Sequence, residues 1–243
     1  MKLFGTNTRS IKTWLFENFV DFLGIFISII LAFTLENYGE EQKEREKESV
    51  YLKSMYENLN SDIHKMEIRV YDYEKKMEAC LTIIQSLDAG YVHHKDTIIT
   101  LLNRELDYIN LHSPDNSTYE SLKYSGDLRL ITNSNFKIML SELDKNYTSL
   151  DNQGAELVSY VRGPQWRGFL LDNIDIKTSS SLDNSEHFQI QFNNRTIHLF
   201  KLLEIYYYGL SATIGKAEQV KTALEEEMLA KEVVFTKYED EEN

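Results

Sequence analysis

The sequence predicts an all-α protein, in which an N-terminal transmembrane helix is followed by an elongated antiparallel helical bundle with coiled-coil character. Three observations lead to this prediction. An uncharged apolar run occupies residues 22–35, apolar residues then recur every three or four positions over long stretches, and only two prolines and ten glycines interrupt the 243 residues. Sandwiches and barrels of short strands need turn residues about every 8–12 positions, and this chain has too few of them.

The composition excludes several classes of protein. Hydrophobic residues make up 42% of the chain and charged residues 27%, so it can bury a core and does not resemble a disordered tail. A single cysteine excludes a disulfide framework within the chain and any zinc module built on cysteines. The net charge of -13 argues against a nucleic-acid partner, because nucleic acids bind positively charged surfaces.

Residues 14–38 form the predicted membrane-spanning helix. The run 22–35 alone would reach only about 21 Å, whereas 14–38 would reach about 37 Å and place Trp14 and Tyr38 at the two interfaces. A cleaved signal peptide is the main alternative, but the residues after the apolar run offer no good cleavage site. A buried core helix is a second alternative, and the absence of a polar stripe argues against it.

The distribution of charge predicts the orientation in the membrane. Residues 1–13 carry Lys2, Arg9 and Lys12 and no acid, whereas residues 36–48 are rich in glutamate. Basic residues stay on the cytoplasmic side, so we expect a cytoplasmic N-terminus and a single pass. In a bacterium, this arrangement places the chain in the inner membrane with its bulk in the periplasm.

Glu17 and Asp21 are a candidate interaction site at the edge of the membrane. They are four residues apart and therefore share one helical face. One interpretation is a site for a proton, a cation or a basic partner helix. The other, which we favour, is two acids solvated at the interface near a helix N-terminus, where negative charge is tolerated.

The body is predicted to occupy residues 39–235 and to begin with one long helix. Neither proline nor glycine falls between Gly39 and Gly90, and Gly90 is expected to end the helix. Eleven apolar residues alternate spacings of four and three, which predicts a sustained apolar seam: Leu52, Tyr56, Leu59, Ile63, Met66, Val70, Tyr73, Met77, Cys80, Ile84 and Leu87.

Further helices are predicted after Gly90. The first covers 96–112 and ends before Pro114; a short one covers 119–124 and ends at Gly126; the next starts after the cap Asn133 and ends at Gly163-Pro164. The seam of this last helix is expected to contain Phe136, Leu140, Leu143, Tyr147, Leu150, Leu157 and Val161, with Gly154 at the remaining position.

Residues 164–192 have no helical periodicity and are predicted to form an irregular cap across one end of the bundle. Residues 187–192 alternate polar and apolar, which suggests a short strand. Asn193 or Asn194 is expected to start the final helix, which would run back antiparallel to the first. Its expected seam contains Leu199, Leu203, Tyr206, Leu210, Thr213, Ala217, Val220 and Leu224. Residues 236–243 form an acidic tail.

Three motifs together resemble an uncharacterised family of bacterial single-span membrane proteins, a domain of unknown function. They are Leu35-Glu36-Asn37-Tyr38 leading into the charged stretch 40–48, the segment 119–128 (YESLKYSGDL), and Leu130-Ile131-Thr132-Asn133. The resemblance covers the chain from about residue 19 to the last helix, with 164–192 poorly matched. The Gly-acid pair usual at the start of the family's anchor is replaced by Val20-Asp21. The resemblance implies an N-terminal anchor and a helical extracytoplasmic body, and no activity.

The residues offer no recognisable chemistry, so we expect no enzyme activity, no cofactor and no metal. The six histidines form none of the spacings that build metal sites on helices, and phosphate loops and nucleophile motifs are absent from the sequence. Cys80 is expected to be a small core residue. The alternative is that it forms a disulfide between two copies of the chain. Trp166 and Arg167 are the best candidates for an exposed recognition feature, unless Trp166 plugs the end of the bundle.

The sequence therefore favours a membrane-anchored, non-enzymatic helical scaffold or accessory subunit of a bacterial envelope complex. Its expected partners are the membrane, through a single span, and either further copies of itself or other envelope proteins, without nucleic acid. The alternative is a periplasmic four-helix-type bundle that senses a ligand and signals through a partner. A closed pocket with both apolar and polar lining beneath residues 164–192 would favour that alternative.

Overall fold

A computed structural model describes the backbone of residues 8–175, 180–181 and 185–233, and the side chains of 18–19, 22–174 and 185–233. The fold is all-α, as predicted. The helices are α1 (Thr8–Asp88), α2 (Tyr91–Leu101), α3 (Ser117–Ser125), α4 (Ser134–Arg162), α5 (Phe169–Asn173) and α6 (Glu186–Ala230), with π-helical segments at Leu102–Leu106 and Pro164–Gly168 and a 3₁₀ turn at Asp127–Arg129. Ile174–Asp175 (β1) and Ser180–Ser181 (β2) pair antiparallel.

The chain divides into two compact units, Met1–Val50 and Tyr51–Asn243. In the first unit, the described residues belong to α1, and every described side chain from 22 to 35 is exposed. The most apolar 18-residue window of this helix has a mean hydropathy of 1.6, and none of it is buried. By length and composition, this is the one helix among the described residues that qualifies to cross a membrane, a test that a signal sequence also passes.

The second unit contains a bundle in which α6 is antiparallel to both α1 and α4. Contacts between α1 and α6 pair Tyr56 with Glu225 and Tyr73 with Tyr206, so residue numbers rise along one helix as they fall along the other. Contacts of α4 and its cap Asn133 with α6 show the same opposite direction of residue numbers: Asn133 with Glu227, Glu142 with Lys216, and Tyr160 with His198. Helices α1 and α4 are therefore parallel to each other.

The chain between α2 and α4 returns along α1 as a fourth segment, in which short helical turns alternate with non-helical stretches. Its residues contact α1 in descending order: Glu105 with Lys76, Asp115 with Asp62, and Asp127 with Tyr51. The body thus has four adjacent segments, three of which are long helices.

The predicted helix over 96–112 is confirmed up to Leu101 and wrong from residue 107 onward. Regular helix ends at Leu101, and residues 107–116 have no helical structure. Side chains of α1 explain why this backbone leaves the helix. Lys76 donates to the carbonyl oxygen of Glu105 at 2.7 Å, and the hydroxyl of Tyr73 donates to that of Asn110 at 3.2 Å, so both groups are satisfied without helical hydrogen bonds.

The predicted strand at 187–192 and the predicted helix start at Asn193 or Asn194 are also wrong, because α6 begins at Glu186. The hydroxyl of Ser185 accepts from the backbone N–H of Phe188 and caps the helix. Phe188 and Phe192, four residues apart, are both buried on one helical face. The irregular part of the predicted cap is therefore shorter than 164–192, since 164–173 is also helical.

The predicted seams of α4 and α6 are confirmed, because every residue assigned to them is buried. In α1 the predicted seam is also buried, except that Val70, Met77 and Ile84 are only partly buried. Lys76 and Ile83 are buried beside it, so the buried face shifts at these positions. An α-helix has 3.6 residues per turn, so a heptad pattern drifts around it unless the helices supercoil.

Candidate functional site

A cavity of about 320 Å³ lies against the C-terminal end of α4. One side is formed by residues 99–110, at the end of α2 and in the segment that follows it. The other side is formed by the last turn of α4 and by residues 166–174. Its lining residues are Ile99, Leu102, Asn103, Leu106, Asp107, Tyr108, Ile109, Asn110, Val158, Val161, Arg162, Trp166, Arg167, Leu170, Leu171 and Ile174.

The two π-helical segments of the described chain both line this cavity. Leu102, Asn103 and Leu106 belong to Leu102–Leu106, whereas Trp166 and Arg167 belong to Pro164–Gly168. A π-helical turn holds more residues than an α-helical turn and redirects side chains, and it occurs frequently at functional sites. The local backbone on both sides therefore departs from regular helix where the cavity is formed.

The buried side of the cavity is apolar and rests on aromatic rings. The indole ring of Trp166 lies 6.2 Å from the ring of Phe192 and 6.4 Å from that of Tyr160, between centroids. Phe169 stacks on Phe188 at 5.8 Å, and Tyr91 packs edge-on against Phe188 at 5.5 Å. These contacts fix the position of Trp166 and give the cavity a rigid apolar floor.

The rim of the cavity carries charge. Arg162, Arg167 and Asp107 are all exposed and line the cavity. Among the described residues, none of these three side chains has a hydrogen-bond or ion-pair partner. The rim thus combines two guanidinium groups with one carboxylate, on a chain whose net charge is -13.

The structure brings two of the predicted interaction residues together and assigns them different roles. Trp166 is only 1% exposed, so it plugs the end of the bundle and is not an exposed recognition residue. Arg167 is exposed at the cavity rim. The side chains of Glu17 and Asp21 lie outside the described residues; their backbone belongs to α1, in the other unit.

The sequence did not single out Arg162, Asp107 or Asn103. Arg162 directly precedes the Gly163-Pro164 break, where a helix end can expose a basic side chain. This position before the break was the one signal in the sequence that could have identified Arg162. Asp107 and Asn103 were assigned to a regular helix over 96–112, which concealed their place at the cavity.

A second polar feature lies in the interior of the bundle, around Asp62 of α1. Both carboxylate oxygens of Asp62 accept from the backbone N–H of Asp115 at 3.0 Å, and Oδ2 also accepts from the hydroxyl of Tyr147 at 3.0 Å. Nε2 of His112 lies 3.8 Å from Oδ1 of Asp62, beyond hydrogen-bond distance. The hydroxyl of Tyr206 accepts from the backbone N–H of His112 at 2.8 Å.

Burial controls the ionisation of this cluster. Removal from water raises the pKa of Asp62, although hydrogen bonds from Asp115 and Tyr147 act in the opposite direction. Removal from water also lowers the pKa of His112 to about 4, assisted by the positive charges of Lys65 and Arg69. His112 is therefore neutral near pH 7. Its Nε2 has no hydrogen-bond partner among the described residues. Because the cluster is enclosed, its evident role is to join three chain segments.

Lys76 is a fully buried lysine close to the cavity wall. Its ammonium group donates to the carbonyl oxygen of Glu105, lies 3.7 Å from Oδ1 of Asp72, and sits 4.2 Å from the centroid of the Tyr108 ring. Burial lowers the pKa of Lys76, and the charges of Asp72 and Glu105 oppose that effect. These contacts hold the π-helical segment and Tyr108 in place.

Metal binding and thiol chemistry find no support in the part of the chain that the structure describes. No group of three or more His, Cys, Asp or Glu side chains there is arranged to hold a metal ion. Cys80 is buried, and burial raises the pKa of its thiol to about 12, so it is not a reactive thiolate.

Comparison with known proteins returned no match: no family model, no curated protein and no solved structure matches this chain.

Proposed function

We propose that this protein is a membrane-anchored, non-enzymatic helical scaffold or accessory subunit that acts through helix–helix contacts. The observation that carries the proposal is the exposure of a whole apolar stretch. Large side chains from Phe22 to Leu35 are between 37% and 70% exposed. Leaving such a surface in water costs about 25 cal/mol per Å², so it needs a cover, and a bilayer is the cover suited to an apolar helix.

The proposed placement is a single pass through a bacterial inner membrane, with residues 1–13 in the cytoplasm and the body in the periplasm. It rests on the purely basic N-terminal flank and the glutamate-rich stretch after the apolar run. Helix α1 is continuous from Thr8 to Asp88, so one helix contains both the apolar stretch and the first helix of the body.

A surface on α1 and α6 is suited to contact with a partner. Tyr71 and Tyr208 are 61% and 63% exposed, and Ile68 and Ile205 lie one turn away from them on the same helices. The two helices meet there, because the hydroxyl of Tyr207 donates to Glu74 at 2.9 Å. Exposed tyrosines and isoleucines on two neighbouring helices are suited to a protein interface, because aromatic residues are enriched there. We call Ile68, Tyr71, Ile205 and Tyr208 the outer surface.

Placement is tested with reporters fused after residue 233. An alkaline phosphatase fusion should be active and a green fluorescent protein fusion should be dark, since the first requires the periplasm and the second the cytoplasm. The intact mass of the protein in alkali-washed membranes should include residues 1–38. A fluorescent C-terminal fusion, or a protein that has lost its N-terminal segment and washes off the membrane, contradicts the proposal.

Partner binding is tested by crosslinking in native membranes followed by affinity purification. The wild-type chain should capture a second copy or another envelope protein, and Y71S/Y208S should lose that product. Y124S is the matched control, because Tyr124 is 81% exposed on α3, away from the outer surface. A wild-type chain that remains a monomer with no crosslinked partner contradicts the proposal.

A second candidate function is ligand sensing, and one observation favours it. The cavity of about 320 Å³ is bordered by residues 166–174 of the predicted cap, and its size falls at the lower end of small-molecule sites, roughly 300–1,000 Å³. In this case, occupancy of the cavity should change the yield of the crosslinked partner. An unchanged yield with a saturated cavity would contradict sensing.

A further inference from the structure

We propose that the cavity beside Trp166 binds a small monoanion with an apolar body, a medium-chain or aromatic carboxylate. This inference rests on the second candidate function, ligand binding, and assigns the chemical class of the ligand. It does not depend on the partner proposed for the outer surface.

The apolar body of the ligand follows from the floor of the cavity. Leu102, Leu106, Val161 and Trp166 line it and are each less than a tenth exposed. Their positions are fixed by packing, so the floor is preformed. A volume of about 320 Å³ holds roughly ten non-hydrogen atoms at about 30 Å³ each, the liquid volume of a water molecule. That is too small for a diacyl phospholipid.

The negative charge of the ligand follows from the rim. Arg162 and Arg167 both border the opening, and neither has a hydrogen-bond or ion-pair partner among the residues that the structure describes. The guanidinium group has a planar set of donors that matches a carboxylate, often with two parallel hydrogen bonds. Guanidinium groups without a partner among the described residues, placed beside an apolar floor, complement a molecule with one anionic end.

A single negative charge follows from the surroundings of the arginines. Asp107 borders the same opening and has no partner among the described residues, so it repels an anion at close range. The net charge of -13 also disfavours anions of higher charge. One carboxylate balances the rim better than a phosphate dianion, whose extra charge would remain uncompensated.

Trp166 makes the inference directly measurable. Trp14 and Trp166 are the two tryptophans of the chain, so Trp14→Phe leaves the cavity tryptophan as the sole fluorophore of its kind. The full chain carrying W14F is placed in phosphatidylcholine nanodiscs, without detergent, which would compete for an apolar cavity. The probes are octanoate, 1-octanol and octylamine, titrated at pH 7 while Trp166 fluorescence is recorded.

We expect octanoate to change the fluorescence saturably. 1-Octanol and octylamine should bind at least about tenfold more weakly, because neither offers arginine a carboxylate that can accept two charge-assisted hydrogen bonds. R162Q/R167Q should weaken octanoate binding by at least about tenfold and leave 1-octanol binding unchanged, whereas R162K/R167K should retain part of the octanoate affinity. R45Q/R129Q removes the same charge from exposed arginines that do not line the cavity, and should have no effect.

Val158→Phe fills the cavity without altering either arginine and should abolish binding of all three probes, so the assignment remains testable if an arginine variant fails to fold. Absence of saturable binding of all three probes overturns both the inference and the ligand-binding function, whereas binding of 1-octanol or octylamine without octanoate overturns only the assigned class. Octanoate binding that R162Q/R167Q leaves intact overturns only the assigned class. A fluorescence change produced by phosphatidylglycerol nanodiscs without octanoate identifies a lipid as the ligand and overturns the assignment to a free carboxylate.

Discussion

The hydroxyl of Tyr147 on α4 donates to Oδ2 of Asp62 on α1 at 3.0 Å, inside the bundle. The backbone N–H of Asp115 donates to the same carboxylate, so Asp62 connects two long helices to the segment that returns between them. Burial nevertheless raises the pKa of Asp62, which means that these hydrogen bonds only partly offset the loss of water. The stability of the junction should therefore depend on each remaining donor.

Tyr147→Phe tests that dependence. The substitution removes one donor from a buried carboxylate and leaves the ring in place, so we expect the free energy of unfolding to fall by about 1.5–3 kcal/mol, the range for hydrogen bonds to charged groups. Urea unfolding of the full chain in mild detergent, followed by circular dichroism, measures the change. Tyr208→Phe is the control, because this exposed tyrosine should tolerate the same atom deletion. Equal stability of Y147F and the wild type would show that Asp62 does not need the donor.

His112 should make the protein less stable as the pH falls. Its pKa is about 4 in the folded chain and 6.5 ordinarily, so between these values the unfolded chain binds a proton that the folded chain does not. Stability is therefore full above pH 6.5 and is lost as the pH falls towards 4, by at most on the order of 3 kcal/mol at about 1.4 kcal/mol per pH unit.

The raised pKa of Asp62 acts in the opposite direction. Between 3.8 and that raised value, the folded chain holds the extra proton, so stability increases as the pH falls. His112→Leu separates the two effects, because it removes the imidazole and leaves the carboxylate. The stability of the wild type relative to H112L should decrease steadily from pH 7 to pH 4. A constant difference over this range would mean that His112 is protonated equally in both states.

Two glycines inside helices should respond differently to the same substitution. A Cβ at Gly154 of α4 would lie 2.9 Å from Cδ1 of Leu111 and 3.1 Å from Cε2 of Tyr206, whereas a Cβ at Gly215 of α6 would meet nothing within 4 Å. Gly215→Ala should raise the melting temperature, because alanine is favoured over glycine in a helix by about 1 kcal/mol. Gly154→Ala should lose that gain, because Leu111 and Tyr206 must move. Equal stabilisation by both would show that the packing around Gly154 is loose.

The long helices were predictable because their signal is local. Apolar residues recur along α4 and α6 every three or four positions. This pattern alone assigns Leu140 and Leu210 to the core, without knowledge of the helix that packs against them. The helix boundaries were equally predictable from local sequence. Helix α3 ends at Gly126, which has a φ of 78°, and α4 begins after Asn133, whose side chain caps it.

The segment 107–116 and the cavity beside it were not predictable, because distant residues determine them. The backbone leaves the helix where Tyr73 and Lys76 of α1 satisfy its carbonyl groups, and Leu111 approaches α4 where Gly154 leaves room. Ile98, Leu102 and Leu106 have helical spacing, which continues the helix in a local prediction. The cavity depends on two π-helical segments far apart in sequence, for which no sequence pattern was recognised.

Lys76 provides the sharpest test of this long-range control. Lys76→Met keeps an unbranched chain of similar length and removes the ammonium group, so the carbonyl oxygen of Glu105 loses its donor and Tyr108 loses the cation over its ring. We expect a loss of about 1–3 kcal/mol in the free energy of unfolding, the cost of an unpaired buried polar group. Hydrogen exchange followed by mass spectrometry should also show faster exchange across residues 102–110.

Lys75→Met is the matched control, since the neighbouring lysine is exposed and lies over the ring of Tyr71 on the outside of α1. It should leave both the free energy of unfolding and the exchange of residues 102–110 unchanged. If K76M exchanged no faster than K75M across this segment, the ammonium group would not be what holds the π-helical turn. The departure from helix after Leu101 would then have to come from packing alone, with Leu111 against Gly154 as the principal contact.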